Sequence, residues 1–538
     1  MSLTIMIFAV WPQPLAPVHS LGASAAVAAM PLAVVLILMG GFRKGGLVAS
    51  GCGLATAAAL AFGVWGMPAG LLAWSVVFGF AYAAWSILWL VFAALWLYHL
   101  SVDTGSFEQL RQWMKANASG EPCVQAMLVA FCFGALLEGS AGFGAPVAIT
   151  AFLLVGLGFE ARKAVVVSLV ANTAPVAFGA LGVPIVALAG VTGLDIMKLS
   201  AMVGRQLPIL SLVLPAYLAL MIGGRSGLRR SWPAALVAGG SFGTTQFLVS
   251  NVWGPYATDV ISSLISILAL TTFLRYWRRD EAGVKSVADG NPALRVKSAA
   301  VSAWVPWATL SVVVVLWTYL KVSAHWQVNI AIPHLHQGVF ISLYGKPYAA
   351  IFAFQPLATG TGVLVATMVT ALLFRARPNV VIHSGGKALR QLCLPGVTVL
   401  FIVGLAYLYN YSGMAFTLGA AVAGAGRVFP LVSSYLGWVA CFLSGSDTAS
   451  NLLFGNLQVA AGAQLHLNPI LLAATNSSGA VAGKMISPQN IAIGVTTVGL
   501  VGQEGRILHK TFWHSVALAA AIGVIALLQA YVFPGMVP

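Results

Sequence analysis

The chain has 538 residues, of which 59% are hydrophobic and only 7% charged, and its formal net charge is +15. Soluble domains carry about 25% charged residues, so this composition excludes a soluble fold and makes lipid the main solvent. The positive balance does not indicate nucleic acid, because the basic residues sit in short loops between apolar runs, the pattern that sets membrane topology. The runs are continuous and each is near the roughly 20 residues needed to cross hydrocarbon, so they read as helices and not as the alternating strands of a barrel.

In chain order, the first spans fall at 22–41, 45–66 and 69–98. No basic stretch precedes the first of them, so it is expected to stay in the mature protein and not be cleaved as a signal. A polar stretch from Asp103 to Ser119 follows, with Phe107, Leu110, Trp113 and Met114 at helical spacing, and is expected to lie in the membrane interface. Residues 122–158 form an apolar run interrupted by EGSAGFGAP. A long run covers 161–191, and further spans fall at 195–224, 232–250, 255–277, 302–322 and 349–374. The second half continues with 392–412, a stretch 414–427, an interrupted run 431–466, a long run 468–500 and a last span at 511–533.

Orientation follows from lysine and arginine. If 122–158 and 431–466 are re-entrant hairpins and the N-terminus lies outside, most of the 27 basic residues fall on the inside. The expected topology is twelve crossings plus two hairpins, with both termini outside. The first hairpin enters from the cytoplasm and the second from outside.

Two regions match in character. LLEGSAGFGAP faces FLSGSDTASNL, aligning Gly139 and Ser140 with Gly445 and Ser446. VANTAPVAFGALGVP faces ATNSSGAVAGKMISP, aligning Asn172 with Asn476, Gly179 with Gly483 and Pro184 with Pro488. Under the topology above the two copies run in opposite senses, so the fold class is an all-α polytopic membrane protein built as an inverted repeat, with two re-entrant hairpins and two interrupted helices. The partition is 1–68 as N-terminal scaffold spans and 69–224 as the first repeat. Linking spans and a cytoplasmic loop cover 225–301, scaffold spans and an outer loop 302–391, and the second repeat 392–538. Unwound backbone at membrane depth is tolerated only where it is buried or lines a cavity. Broken helices of this kind aim their N-termini at an anionic group near the midplane.

The first tip runs from Glu138 through Gly142, Phe143 and Gly144 to Pro146. Its glycines permit a tight turn and a close backbone approach. Helix packing alone accounts for the small residues but not for Glu138. No strand precedes it and no GK[ST] follows, so it is not a phosphate-binding loop. The second tip offers Ser446, Asp447, Thr448, Ser450 and Asn451. An ionisable residue at membrane depth is costly and marks a functional position. Asn172-Thr173 and Asn476-Ser477-Ser478 lie within the long runs, each read as a helix interruption, with Pro175 breaking the first. Arg205 and Lys484 are the basic residues placed well inside spans, and either could pair with Glu138 or Asp447 or meet a carboxylate. The five cysteines (Cys52, Cys123, Cys132, Cys393 and Cys441) are scattered singly and suggest neither a disulfide frame nor a zinc site. His325, His334 and His336 read as a solvated outer loop, with no metal site.

GALLEGSAGFGAPVAITAFLLVGLGF, VANTAPVAFGALGVPI, SGSDTASNLLFGNLQ and ISPQNIAIG together resemble the lactate permease family, which includes glycolate permeases. The resemblance runs over most of the chain. It implies proton-coupled uptake of lactate, glycolate and related 2-hydroxy-monocarboxylates across the bacterial inner membrane. At fold level the family resembles the ion-transporter superfamily, in which hairpins and broken helices form a transport domain that moves as an elevator. Sodium-coupled members there carry Ser-Asn-Thr motifs, whereas this chain has Ala-Asn-Thr and Thr-Asn-Ser. The expected partners are a small monocarboxylate and membrane lipid, with no cofactor beyond the coupling proton. The carboxylate is expected among Ser140, Asn172, Thr173, Ser446, Thr448, Asn451, Asn476, Ser477 and the tip N–H groups, with Phe143 or Ala145 beside the methyl group. Asp447 is the favoured proton carrier and Glu138 the second candidate. A sodium-coupled carboxylate carrier, a membrane-embedded enzyme and a passive channel are the rival readings. The enzyme reading lacks a DDxxD-like cluster or an HExxH site.

Overall fold

The computed structural model describes residues 10–38, 42, 44–117, 121–140, 145–277, 299–343, 345–500 and 503–538. The first helices are α1 (Leu21–Leu36), α2 (Gly46–Gly63), α3 (Ala69–Tyr82), α4 (Trp89–Asp103) and the amphipathic α5 (Ser106–Asn117). The first interrupted run comprises α6 (Pro122–Ala126), a π-helical stretch Met127–Phe133, α7 (Gly134–Ser140) and α8 (Ala145–Gly156). Then come α9 (Ala161–Ala171), α10 (Gly179–Thr192), α11 (Ile196–Val203), α12 (Leu207–Val252), α13 (Thr258–Trp277) and α14 (Ala299–Tyr319). The second half holds α15 (Thr359–Leu373), α16 (Pro378–Ser412), α17 (Met414–Val422), α18 (Phe429–Ser444) and α19 (Asp447–Leu465). It ends with α20 (Pro469–Lys484), α21 (Pro488–Thr497) and α22 (Glu504–Tyr531).

Among the described residues, nine helical stretches are long and apolar enough to cross a bilayer, or ten if the bent pair Ala161–Ala171 and Val176–Thr192 is one span. The fold is not wholly helical. Five short strands, β1 (Trp11–Pro12), β2 (Val328–Ala331), β3 (Val339–Ile341), β4 (Lys346–Pro347) and β5 (Ile351–Phe354), lie before α1 and between α14 and α15. β1 runs parallel to β3, β3 antiparallel to β4, and β2 antiparallel to β5.

Two span expectations are corrected here. The run 349–374 is not one helix: β5 pairs with β2, Gln355-Pro356 interrupt, and the helix starts only at Thr359. The span expected at 392–412 begins at Pro378, because proline at the first turn starts a helix well and no break precedes Ser412. The 46-residue α12 bends at Gly224, whose φ of 61° and ψ of −158° are non-helical.

The helices pack in two groups. Helices α2, α3, α4, α15 and α16 pack on one another, with α1 against α2 and α14 against α15. The second group gathers both interrupted runs, with α7 on α8 and α13, α18 on α19, α20 and α22, and α10 on α19. Side chains of the first group reach carbonyl oxygens in the last turns of α10. The hydroxyl of Tyr82 donates to Val186 O at 2.8 Å, that of Tyr407 to Gly190 O at 3.2 Å, and the amide of Asn410 to Val191 O at 2.9 Å.

Candidate functional site

Where the groups meet there is a cavity of about 400 Å³. Three helix starts line it. Ser446, Asp447 and Thr448 come from the first turn of α19, Gln489 and Asn490 from that of α21, and Val183 and Pro184 from the straight part of α10. The local sequence explains each start. Gly445 (φ 70°) ends α18, and the Ser446 side chain accepts from Ala449 N at 3.3 Å as the cap of α19. The Ser487 hydroxyl caps α21 by accepting from Asn490 N at 3.3 Å. Orphan N–H groups and the macrodipole make such ends favourable for a carboxylate.

Charge enters the cavity wall at Lys484 and at the carboxylates Glu138 and Asp447. Lys484 Nζ lies 2.5 Å from Glu138 Oε1, with the two side chains 9% and 3% exposed. The amide of Asn172 donates to the other oxygen, Glu138 Oε2, at 3.1 Å. Gly179 leaves room for this carboxylate, since a Cβ there would stand 2.7 Å from Glu138 Oε1. Asp447 Oδ2 accepts from Ser477 Oγ at 2.9 Å, while its Oδ1 has no hydrogen-bond partner among the described residues.

Behind Asp447 runs a buried amide chain. Asn451 donates to Ser477 Oγ at 3.0 Å and to Pro184 O at 3.1 Å. Asn476 donates to Asn451 Oδ1 at 3.0 Å and accepts from Gln458 at 3.1 Å. Asn451, Asn476 and Ser477 therefore stand one layer behind the wall and orient Asp447. Ser140 and Thr173 turn their hydroxyls back to their own helices, onto Leu136 O and Val170 O, both at 2.7 Å. Thr173 and Asn172, with Lys484 and Asn490, edge a narrow crevice beside the cavity. Gly142, Phe143 and Gly144 lie outside the described residues, as does the side chain of Ala145.

Two placements differ from expectation. Asn172 does cap α9 at a break, but Asn476 lies within the continuous α20, and the second interruption falls at 485–487. Three residues beyond Asn172 stands Pro175, which lacks an N–H and cannot continue the helix. The matching position holds Gly479, so α20 runs on until the capped start before Pro488. Arg205 does not line the cavity. The run splits at 204–206 between α11 and α12, and Arg205 bonds Asn251 Oδ1 at 3.0 Å and Met536 O at 2.6 Å. Of the two candidate cations, Lys484 is the one on the cavity wall.

The sequence reading passed over Asp259. It is 1% exposed in the first turn of α13, with Gln246 as its side-chain neighbour but no hydrogen bond of ordinary length to either carboxyl oxygen among the described residues. It packs behind the first tip, where a Cβ on Gly139 would stand 2.8 Å from its own Cβ. An unpaired buried carboxyl group is costly. The available signal was a carboxylate inside the run 255–277, the criterion that selected Glu138 and Asp447.

Comparison with known proteins places these features in context. Residues 24–533 match the L-lactate permease family. The glycolate permease GlcA of Escherichia coli K12 is 41% identical, over 98% of this chain and 99% of its own length. The L-lactate permease of the same strain is 39% identical over 98% and 100%. That of Bacillus subtilis 168 is 37% identical over 98% and 100%. Among solved structures, the YdaH transporter of Alcanivorax borkumensis superposes with a TM-score of 0.46 at 16% identity, covering 85% of this chain and 87% of that one. With the family matched from the first apolar helix to the last, this chain belongs to the L-lactate permease family and is a multi-pass protein of the bacterial inner membrane.

Proposed function

We propose that this chain is a proton-coupled symporter for lactate and related 2-hydroxy-monocarboxylates such as glycolate. The observation that carries the reading is a buried lysine held by a glutamate on a cavity wall, beside three helix starts. The substrates in the names of its relatives are small carboxylates. An incoming carboxylate competes with Glu138 for Lys484, and the first-turn N–H groups of Asp447, Thr448 and Gln489 supply further donors. Glu138 tethers the lysine while the cavity is empty. Asp447, on the cavity wall and with one buried oxygen unpartnered among the described residues, carries the proton.

A monocarboxylate moving with one proton is electroneutral, so one pH unit supplies about 1.4 kcal/mol, or a roughly tenfold concentration ratio. The group of helices holding both hairpins is the moving body and the group around α16 the frame, in an elevator cycle between inverted repeats. Cysteines placed at Gly120 and Phe159 should label only from the cytoplasm, and those at Leu431 and Leu467 only from outside. Opposite-side labelling of the two ends of either run would make it a crossing and remove the inverted repeat. The function is tested by uptake of labelled 2-hydroxy acids into proteoliposomes under an imposed pH gradient, with and without sodium. Accumulation that follows sodium at fixed pH would replace the proton with a sodium ion.

A further inference from the structure

The cavity wall is divided by chemistry, and the division follows the two helix groups. Its charged and amide side chains, Glu138, Asp447, Lys484, Gln489 and Asn490, belong to the hairpin-bearing group. On the opposite wall, from α2, the 83–91 stretch and α16, Thr398 is the one residue with a polar side chain; Leu88, Val91, Val399 and Ile402 are typical of the rest. A 2-hydroxy acid has the same division, with carboxylate and hydroxyl at one end and an alkyl group at the other. The charged wall fixes the head, so the alkyl group faces the aliphatic wall.

The size of the cavity adds a second constraint. Lactate has six non-hydrogen atoms, and a water molecule's share of liquid is about 30 Å³. Six such volumes come to roughly half of the cavity at most, which holds about 400 Å³. The unfilled part includes the aliphatic side. We infer that the substrate class extends beyond two- and three-carbon acids to 2-hydroxy acids with longer aliphatic chains, the chain lying on Leu88, Val91, Val399 and Ile402. This rests on the proposed assignment of the cavity to 2-hydroxy acids.

Burying one methylene is worth about a fourfold gain in affinity. Inhibition of labelled lactate uptake by unlabelled glycolate, lactate, 2-hydroxybutanoate and 2-hydroxypentanoate should therefore strengthen along the series, by about two- to fourfold per carbon. Val399→Phe, which fills the aliphatic side from a half-buried position, should weaken 2-hydroxypentanoate at least tenfold and glycolate less than twofold. Leu88→Ala, which enlarges the same side, should shift preference toward the longer acids. Equal or weaker inhibition by the longer acids overturns the inference, as does equal weakening of glycolate and 2-hydroxypentanoate in Val399→Phe. Failure of the parent protein to take up lactate or glycolate would be distinguishable, since it removes the cavity's assignment itself and this inference with it.

Discussion

The two matched regions solve one problem in different ways. In both, the second half-helix starts at a matched proline, Pro184 or Pro488, and α21 and the straight part of α10 both put their starts on the cavity. The breaks before them differ. The first extends from Asn172 to Gly182 and includes a 3₁₀ turn and three left-handed residues, Ala180 (φ 45°), Leu181 (φ 59°) and Gly182 (φ 75°). The second occupies only 485–487. Left-handed backbone costs a residue with a side chain roughly 1–2 kcal/mol, so the first break is the strained one. Strain of this kind persists where the surroundings over-determine it. Here the longer break lets Asn172 and Gly179 reach Glu138. The first region thus spends its irregular backbone on a glutamate, while the second uses regular helix and an amide chain to hold an aspartate.

Four sets of substitutions sharpen or break this contrast. The largest effect is expected at the ion pair. Lys484→Ala should abolish uptake and cost about 3–5 kcal/mol of stability, because it leaves Glu138 buried and uncompensated. The double change Lys484→Met with Glu138→Gln should recover thermal stability in detergent but not uptake. Recovery of transport would make the pair purely structural.

Next comes Asp447→Asn. It should lose accumulation driven by a pH gradient and retain substrate exchange, measured in the same vesicles, since the amide mimics the protonated acid. Uphill accumulation at the parental level would move the proton to Glu138.

The matched asparagines should then separate. Asn172→Ala removes one bond to Glu138 and should raise KM several-fold with little change in melting temperature. Asn476→Ala leaves Asn451 Oδ1 and Gln458 Nε2 short of a partner and should cost about 1–3 kcal/mol. If both variants change KM alone, the amide chain is part of the binding surface and not its support.

The smallest effect is at the strained break. Leu181→Gly removes the left-handed penalty but also a fully buried side chain. Ala180→Gly is therefore the cleaner test, with a gain of about 1 kcal/mol. A loss of stability there would show that the surroundings select alanine's methyl group.

Much of this molecule was legible in the sequence because lipid imposes simple rules. Run lengths located most helices, and glycine, proline and serine marked the break between α18 and α19 and the start of α21. Glu138, Asp447 and Lys484 stood out as charges in apolar runs, and they meet on one cavity. What the letters concealed was distance along the helix. Asn476 aligns with Asn172, yet one residue, Gly479 in place of Pro175, carries the helix onward and puts the asparagine mid-helix. Arg205 read as membrane-embedded because its run is apolar throughout, and only the turn at 204–206 brings it to Met536 at the chain's end. Asp259 shared the signature of the other two carboxylates but lay outside the two matched regions.

The three hydrogen bonds onto the end of α10 act as a mechanical detent. Tyr82, Tyr407 and Asn410 belong to one helix group, while Val186, Gly190 and Val191 belong to the other. Any sliding of one group past the other must break all three together. At about 0.5–1.5 kcal/mol each, they favour the present alignment by roughly 1.5–4.5 kcal/mol if the other alignment does not replace them. Under the proposed elevator cycle, the resting populations of the two alignments would then be set by side chains that do not line the cavity. Replacing the tyrosines with phenylalanine would alter how long the carrier waits on each side without altering what it recognises.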